Sequence, residues 1–186
     1  MSPNRWEMPP VYLQSGDPEQ ENVATLHAPG TLGCRFTVVQ PTRAQVGAEA
    51  GRSKRYQLIQ TDSTMSVAPY PGATAWWADK TRYLVTTSPT ALGRNLVAGV
   101  FQNAITPGNY GCVQLNGPGT VKLTDASALA AVAGDLIQPS STAGKAERIA
   151  AGVALTYVQM GVIAAPLSKD AGAATVVVDL SIPETT

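Results

Sequence analysis

One histidine, two cysteines and 13 carboxylates are the groups in this 186-residue chain best suited to chemistry. His27 stands in Thr25-Leu26-His27-Ala28-Pro29, and no Gly-x-Ser-x-Gly elbow accompanies it. A Ser-His-Asp relay needs a base held by an orienting acid, so His27 reads as an incidental residue of a Pro-rich segment. Zinc takes several His or Cys ligands at fixed spacing. Cys34, Cys112 and His27 are isolated from one another, and the cysteines read as two buried, reduced thiols, with a single disulfide left open. A pair of carboxylates can hydrolyse glycosides without histidine, but most of the acids fall in turns or in the N-terminal segment and no motif singles out a pair. No Gly-x-Gly-x-x-Gly or P-loop pattern occurs. The expectation is no enzyme, no cofactor and no metal. The aromatic residues offer a different chemistry, that of contact. Trp76, Trp77, Tyr83 and Tyr110 would suit a sugar-stacking platform, a core or a subunit interface, where Trp and Tyr are enriched.

The elements that would position these residues are short strands. Leu32 to Val39, Arg55 to Thr61, Arg82 to Thr87, Asn95 to Gln102, Tyr110 to Leu115 and Thr120 to Leu123 are rich in Val, Ile, Thr and Tyr, as half-buried pleated surfaces prefer. Asp135 to Gln138, Gly152 to Val158, Met160 to Ala165 and Ala174 to Ile182 continue the series. Pro71-Gly72, Pro107-Gly108-Asn109, Asn116-Gly117-Pro118-Gly119 and Thr142-Ala143-Gly144 read as the turns between them. This spacing predicts an all-β fold, a small β-barrel or sandwich of short antiparallel strands. Asp125 to Ala133, Ala-rich and stopped by Gly134, reads as one or two helical turns. Trp76 and Trp77 are adjacent and so point to opposite faces of a strand. On a one-sided sheet one of them needs a partner or a second layer.

Residues 1–30 read as an extended docking arm ahead of a β-barrel domain spanning 31–186, with Trp6 and Tyr12 either folding back onto their own domain or docking on a neighbouring subunit. Pro3, Pro9, Pro10, Pro18 and Pro29 fix φ and remove backbone donors, and Trp6, Met8, Tyr12 and Leu13 lie between them. Asp17-Pro18-Glu19-Gln20 fits a short helical start with Asp17 as its cap. Residues 43–54 read as a mobile polar loop.

Charge narrows the partners. The formal net charge is +0, and charged residues make up only 14% of the chain, against about 25% in an ordinary soluble domain. No Lys/Arg block exists to neutralise phosphates, which speaks against nucleic acid. The longest uncharged stretch, Ile149 to Ser168, is broken by Gly152, Gln159, Gly161 and Pro166, and reads as two strands and a turn rather than a membrane span. The N-terminus lacks a basic segment followed by an apolar one, so no secretory signal is expected. A surface so weakly charged is poorly protected against association and suits contact with other protein.

The order of several elements resembles a known family. Gly99-Val100-Phe101 is followed by Gly108-Asn109-Tyr110-Gly111-Cys112-Val113-Gln114 and then Gly117, similar to a "G-x-Y-G-x-V-Q-x-x-G" run. Ala133-Gly134-Asp135 resembles an "A-G-D" strand start. Ala143-Gly144-Lys145-Ala146 and Gly152-Val153-Ala154-Leu155 resemble a closing hairpin, and Lys54 to Gln60 resembles the strand ahead of the barrel. Together they resemble the small β-barrel decoration, or cement, proteins of tailed-bacteriophage heads. Cys112 departs from that pattern, standing where a bulky aromatic is frequent, and so does the Pro-rich arm. The resemblance implies a non-enzymatic virion protein, made in the host cytoplasm, on the capsid exterior. Its partners would be the major capsid protein and neighbouring copies of itself, with a trimer favoured, and it implies no catalytic residues. Interface contacts are expected from Trp6, Pro9, Pro10, Tyr12, Trp76 and Trp77. The rival expectations are another phage structural role (head–tail connector, tail tube or head-fibre base) and a carbohydrate-binding module using Trp76, Trp77 and Tyr83.

Overall fold

The computed structural model describes residues 17–25, 31–39, 53–89, 96–124, 127, 130–150, 152–166 and 175–183. Its strands are β1 (Asn22–Val23), β2 (Arg35–Val39), β3 (Ser53–Thr61), β4 (Thr74–Asp79), β5 (Leu84–Thr86), β6 (Val97–Phe101), β7 (Tyr110–Lys122), β8 (Leu136–Pro139), β9 (Ala146–Ile149), β10 (Gly161–Pro166) and β11 (Thr175–Ser181). The fold is all-β, and its centre is a closed five-stranded barrel. Closure follows from the pairing order: β3–β5–β4–β6–β7 are neighbours in turn, and β7 returns to β3. All of these pairings are antiparallel except β3–β5. The barrel is filled by Ile59, Ala75, Trp77, Val85, Ala98, Phe101 and Val113, with Ala73 and Ile105 adding to the same cluster.

Strand β7 leaves the barrel and starts a second sheet. Its first half pairs with β3 from Tyr110 to Asn116, and its second half pairs with β11 from Asn116 to Lys122. The Asn116-Gly117-Pro118-Gly119 segment expected as a turn is therefore a bend inside one continuous strand. Its residues are chosen for that bend. Gly117 has φ 89°, and a Cβ there would fall 2.3 Å from the Ser53 carbonyl oxygen. Pro118 has no N–H to leave unpaired. The Gln114 side-chain amide, fully buried, donates to the carbonyls of Asn116 (3.0 Å), Gly117 (3.2 Å) and Pro118 (3.0 Å).

From β7 the second sheet runs β11–β10–β8–β9. It curls until Ala146, at the start of β9, meets Leu123 in a parallel bridge, and the Thr124 N–H donates to the Ala146 carbonyl at 2.9 Å. Val121, Leu123, Ile137, Met160, Ile163, Val176, Val178 and Leu180 line this curl. Trp76, Val97 and Val100 belong to the same cluster. They come from β4 and β6, on the face opposite the barrel-filling Ala75, Trp77 and Phe101. A third cluster, Phe36, Val38, Tyr56, Leu58 and Cys112, lies between β2 and the outside of β3 and β7.

Three further expectations change. Gly152 to Val158 is not a strand: Gly152 to Thr156 form an exposed loop between β9 and β10. Asp17 caps a single turn rather than a helix, its carboxylate accepting from the Glu19 N–H at 2.9 Å while its carbonyl accepts from the Gln20 N–H at 3.0 Å. Part of the expected arm is bound to the domain, because β1 pairs with β7 through Asn22–Gly111 and Val23–Tyr110. Residues 1–16 lie outside the described residues, as do residues 43–52 of the expected 43–54 loop and residues 125, 126, 128 and 129 of the expected 125–133 helical turns.

Candidate docking surfaces

Trp76 and Trp77 do not form an interface patch. Their relative exposures are 1% and 4%. Alternation along β4 sends Trp77 into the barrel and Trp76 into the second core, so the second layer that one of them needed is supplied by the chain itself. Tyr83 is also engaged. Its φ is 52°, its ring meets Trp77 edge-on at 6.3 Å, and it packs over Gly33 so closely that a Cβ at 33 would fall 2.2 Å from the ring. These rings offer no open pair for stacking on a sugar. Trp6, Pro9, Pro10 and Tyr12 lie outside the described residues.

The exposed apolar surface is elsewhere. Among the described residues the exposed large hydrophobics are Val132 (52%), Val153 (57%) and Leu155 (38%). Val132 lies on the segment entering β8, and Val153 and Leu155 lie on the segment between β9 and β10. Leu136 pairs with Ile149, which places the segment entering β8 beside the segment leaving β9. The two segments are fixed at their bases. Asp135, almost fully buried, pairs with Arg148 and accepts from the Val132 N–H at 3.1 Å. Gln138, also buried, accepts from the N–H groups of Thr156 (3.1 Å) and Tyr157 (3.2 Å), and donates to Glu147 at 2.7 Å. Beyond these anchors neither residues 130–134 nor residues 149–160 carry a charge. The apolar tip is thus two uncharged, anchored segments that carry these exposed side chains. The uncharged run was visible in the sequence, but strand-like composition pointed its valines and leucine inward.

A second surface is covered rather than exposed. Residues 17–23 cross the outside of the barrel over the Tyr56–Cys112 patch. Glu19 Oε1 accepts from the Lys54 amine at 3.0 Å and from the Tyr56 hydroxyl at 2.5 Å. Asn22 Oδ1 accepts from the Thr106 N–H (3.2 Å) and the Asn109 amide (2.8 Å), and the Asn103 amide donates to the Glu21 carbonyl at 3.1 Å. Gly111 is required at this crossing, since a Cβ would come within 2.3 Å of Ile105 and 2.7 Å of the Glu21 carbonyl oxygen. Burial, then the hydrogen bond and charge of Glu19, push the Tyr56 hydroxyl far above its ordinary value of 10.0. Burial, then the Glu21 and Asp17 carboxylates, push the Cys112 thiol well above 9.0. A thiol held protonated is a poor nucleophile. Cys34 packs against the same cluster, and both cysteines are free. They flank Leu58, which pairs with Cys112 on one side and donates its N–H to the Cys34 carbonyl on the other.

Among the described residues no group of three His, Cys, Asp or Glu side chains converges in a way that would hold a metal ion. No family model matches the chain, and no curated protein is significantly similar to it.

Proposed function

We propose that this protein is a non-enzymatic structural component of a phage virion. In this reading it binds the outer surface of the major capsid protein, as a decoration or cement protein, and stabilises the expanded head. The observation that carries the reading is the uncharged apolar tip formed by Val132, Val153 and Leu155. A docking face of this kind excludes water without stripping hydration from ions, and the nearby Asp135 carboxylate is already paired with Arg148 at its base. Small interfaces of this sort become strong when symmetry repeats them across a shell. The net charge of +0 adds no long-range repulsion between neighbouring copies, in keeping with a homo-oligomer, the trimer being the form favoured. The arm, residues 1–16 with Trp6, Pro9, Pro10 and Tyr12, would add contacts across subunit seams.

The test is electron cryomicroscopy of particles lacking this protein beside intact ones, followed by rebinding. Density lost at regular positions on the shell, restored by wild-type protein but not by the Val153→Ser/Leu155→Ser double variant, is the expected result. Equal rebinding by the double variant would remove the tip from the docking surface. An unchanged shell would remove the cement role.

A further inference from the structure

The two covers on the outside of the barrel are built from different materials. The second sheet covers Trp76, Val97 and Val100 with valine, leucine and isoleucine side chains, and is tied to β7 by seven registered pairs from Thr175–Lys122 to Ser181–Asn116. Residues 17–25 bring Asp17, Glu19, Gln20, Glu21, Asn22 and Thr25, with Pro18 and Glu21 buried, Val23 half-buried and Ala24 exposed. Among the described residues their strand pairing is the two-residue β1. Beneath them lies an apolar bed that includes Tyr56, Leu58 and Cys112, each at most 2% exposed. Polar contacts that hold the strap include the Glu19 fork to Lys54 and Tyr56, the Asn22 fork to Thr106 and Asn109, and the Asn103 amide on the Glu21 carbonyl. Such contacts exchange for water with small net gain, and an ion pair with one exposed partner is weakened by salt. Segments with few apolar contacts open locally while the rest of a protein stays folded.

We propose that residues 17–25 form a detachable strap, latched by Glu19 and Asn22, that opens from the barrel as a unit while both barrel cores stay closed. Opening uncovers the Tyr56–Cys112 bed and frees the β1-facing edge of β7 at Tyr110 and Gly111, which stay paired with β3 on their other side. The inference does not depend on the capsid reading.

The probe is Cys112 in a Cys34→Ser background, labelled with N-ethylmaleimide in native buffer and followed by mass spectrometry. The expected result is labelling at least tenfold faster than global unfolding, the latter measured by tryptophan fluorescence. Raising the salt should accelerate labelling severalfold, and Glu19→Ala about tenfold. Labelling no faster than global unfolding, or indifferent to both salt and Glu19→Ala, would overturn the proposal. Hydrogen exchange on the unaltered chain gives a second reading that no variant can spoil. Peptides covering residues 17–25 should exchange orders of magnitude before those covering β11, and exchange in step would also overturn the strap.

Discussion

Two apolar patches lie on the outside of one barrel, and the molecule treats them differently. The Trp76–Val100 patch is sealed under a curled sheet and becomes a second core. The Tyr56–Cys112 patch is closed partly by β2 and partly by a polar strap fixed at a few atoms. Both patches are buried, so exposure alone does not separate them. The covering material does: burial under apolar side chains is stabilised by every square ångström removed from water, whereas a polar strap adds little of that term and depends on individual bonds. One patch can be permanent and the other reversible on the same five strands.

The largest effect should come from breaking the permanent side. Trp76→Ala removes an indole from the second core and should cost about 3–5 kcal/mol. It should lower the denaturant midpoint for the whole chain rather than for the second sheet alone, because β7 belongs to both units. Two separated unfolding transitions would show that the units are independent. Gln114→Leu should cost about 1–3 kcal/mol, since the carbonyls of Asn116, Gly117 and Pro118 lose their shared donor in a buried place. It should also loosen the β7–β11 ladder, which amide exchange would report.

Alkaline titration sharpens the comparison from the other side. Tyr56 and Cys112 are both held protonated in the folded protein. Their contribution is therefore complete below the ordinary values of 9.0 for the thiol and 10.0 for the phenol, and is lost as pH rises beyond them. Each group should remove about 1.4 kcal/mol of unfolding free energy per pH unit. Cys112→Val should flatten the first part of that decline, and an unchanged slope would show that the thiol is not held as described. At the low end, Glu19→Ala should cost about 1 kcal/mol in global stability. The tip should matter least: Val153→Ser and Leu155→Ser should each stay within about 0.5 kcal/mol, because exposed side chains contribute little to folding.

Strand-forming residues between Gly/Pro punctuation made the all-β class legible, and the alternation at Trp76-Trp77 was read correctly as two opposed faces. What alternation does not carry is which strand will cover the second face. Trp76 found its cover in strands β8, β10 and β11, whose position is set by long-range pairing. Asn116-Gly117-Pro118-Gly119 looked like a turn because a bend within a strand uses the same residues. Whether the chain reverses or continues was decided by β3 and β11, which pair on either side of the bend. Gly152 to Val158 had strand-like composition, but two of its backbone N–H groups bond a side chain, Gln138, instead of a neighbouring strand. Asp17 as a cap was legible because capping is local. The Glu19–Tyr56 and Asn22–Asn109 contacts were not, since they join residues far apart in the chain.

Strand β7 carries one more consequence. It is 13 residues long, and successive halves are bonded to β3 and β11. A pull applied between the apolar tip and the N-terminal end would be transmitted along this strand. The ladder bonds on its flanks would be loaded together, as in shear, instead of opening one after another like a zipper. Resistance to such a pull is a matter of rate rather than of equilibrium. A chain held at both of those points would have the glycine-hinged strand as its tension member.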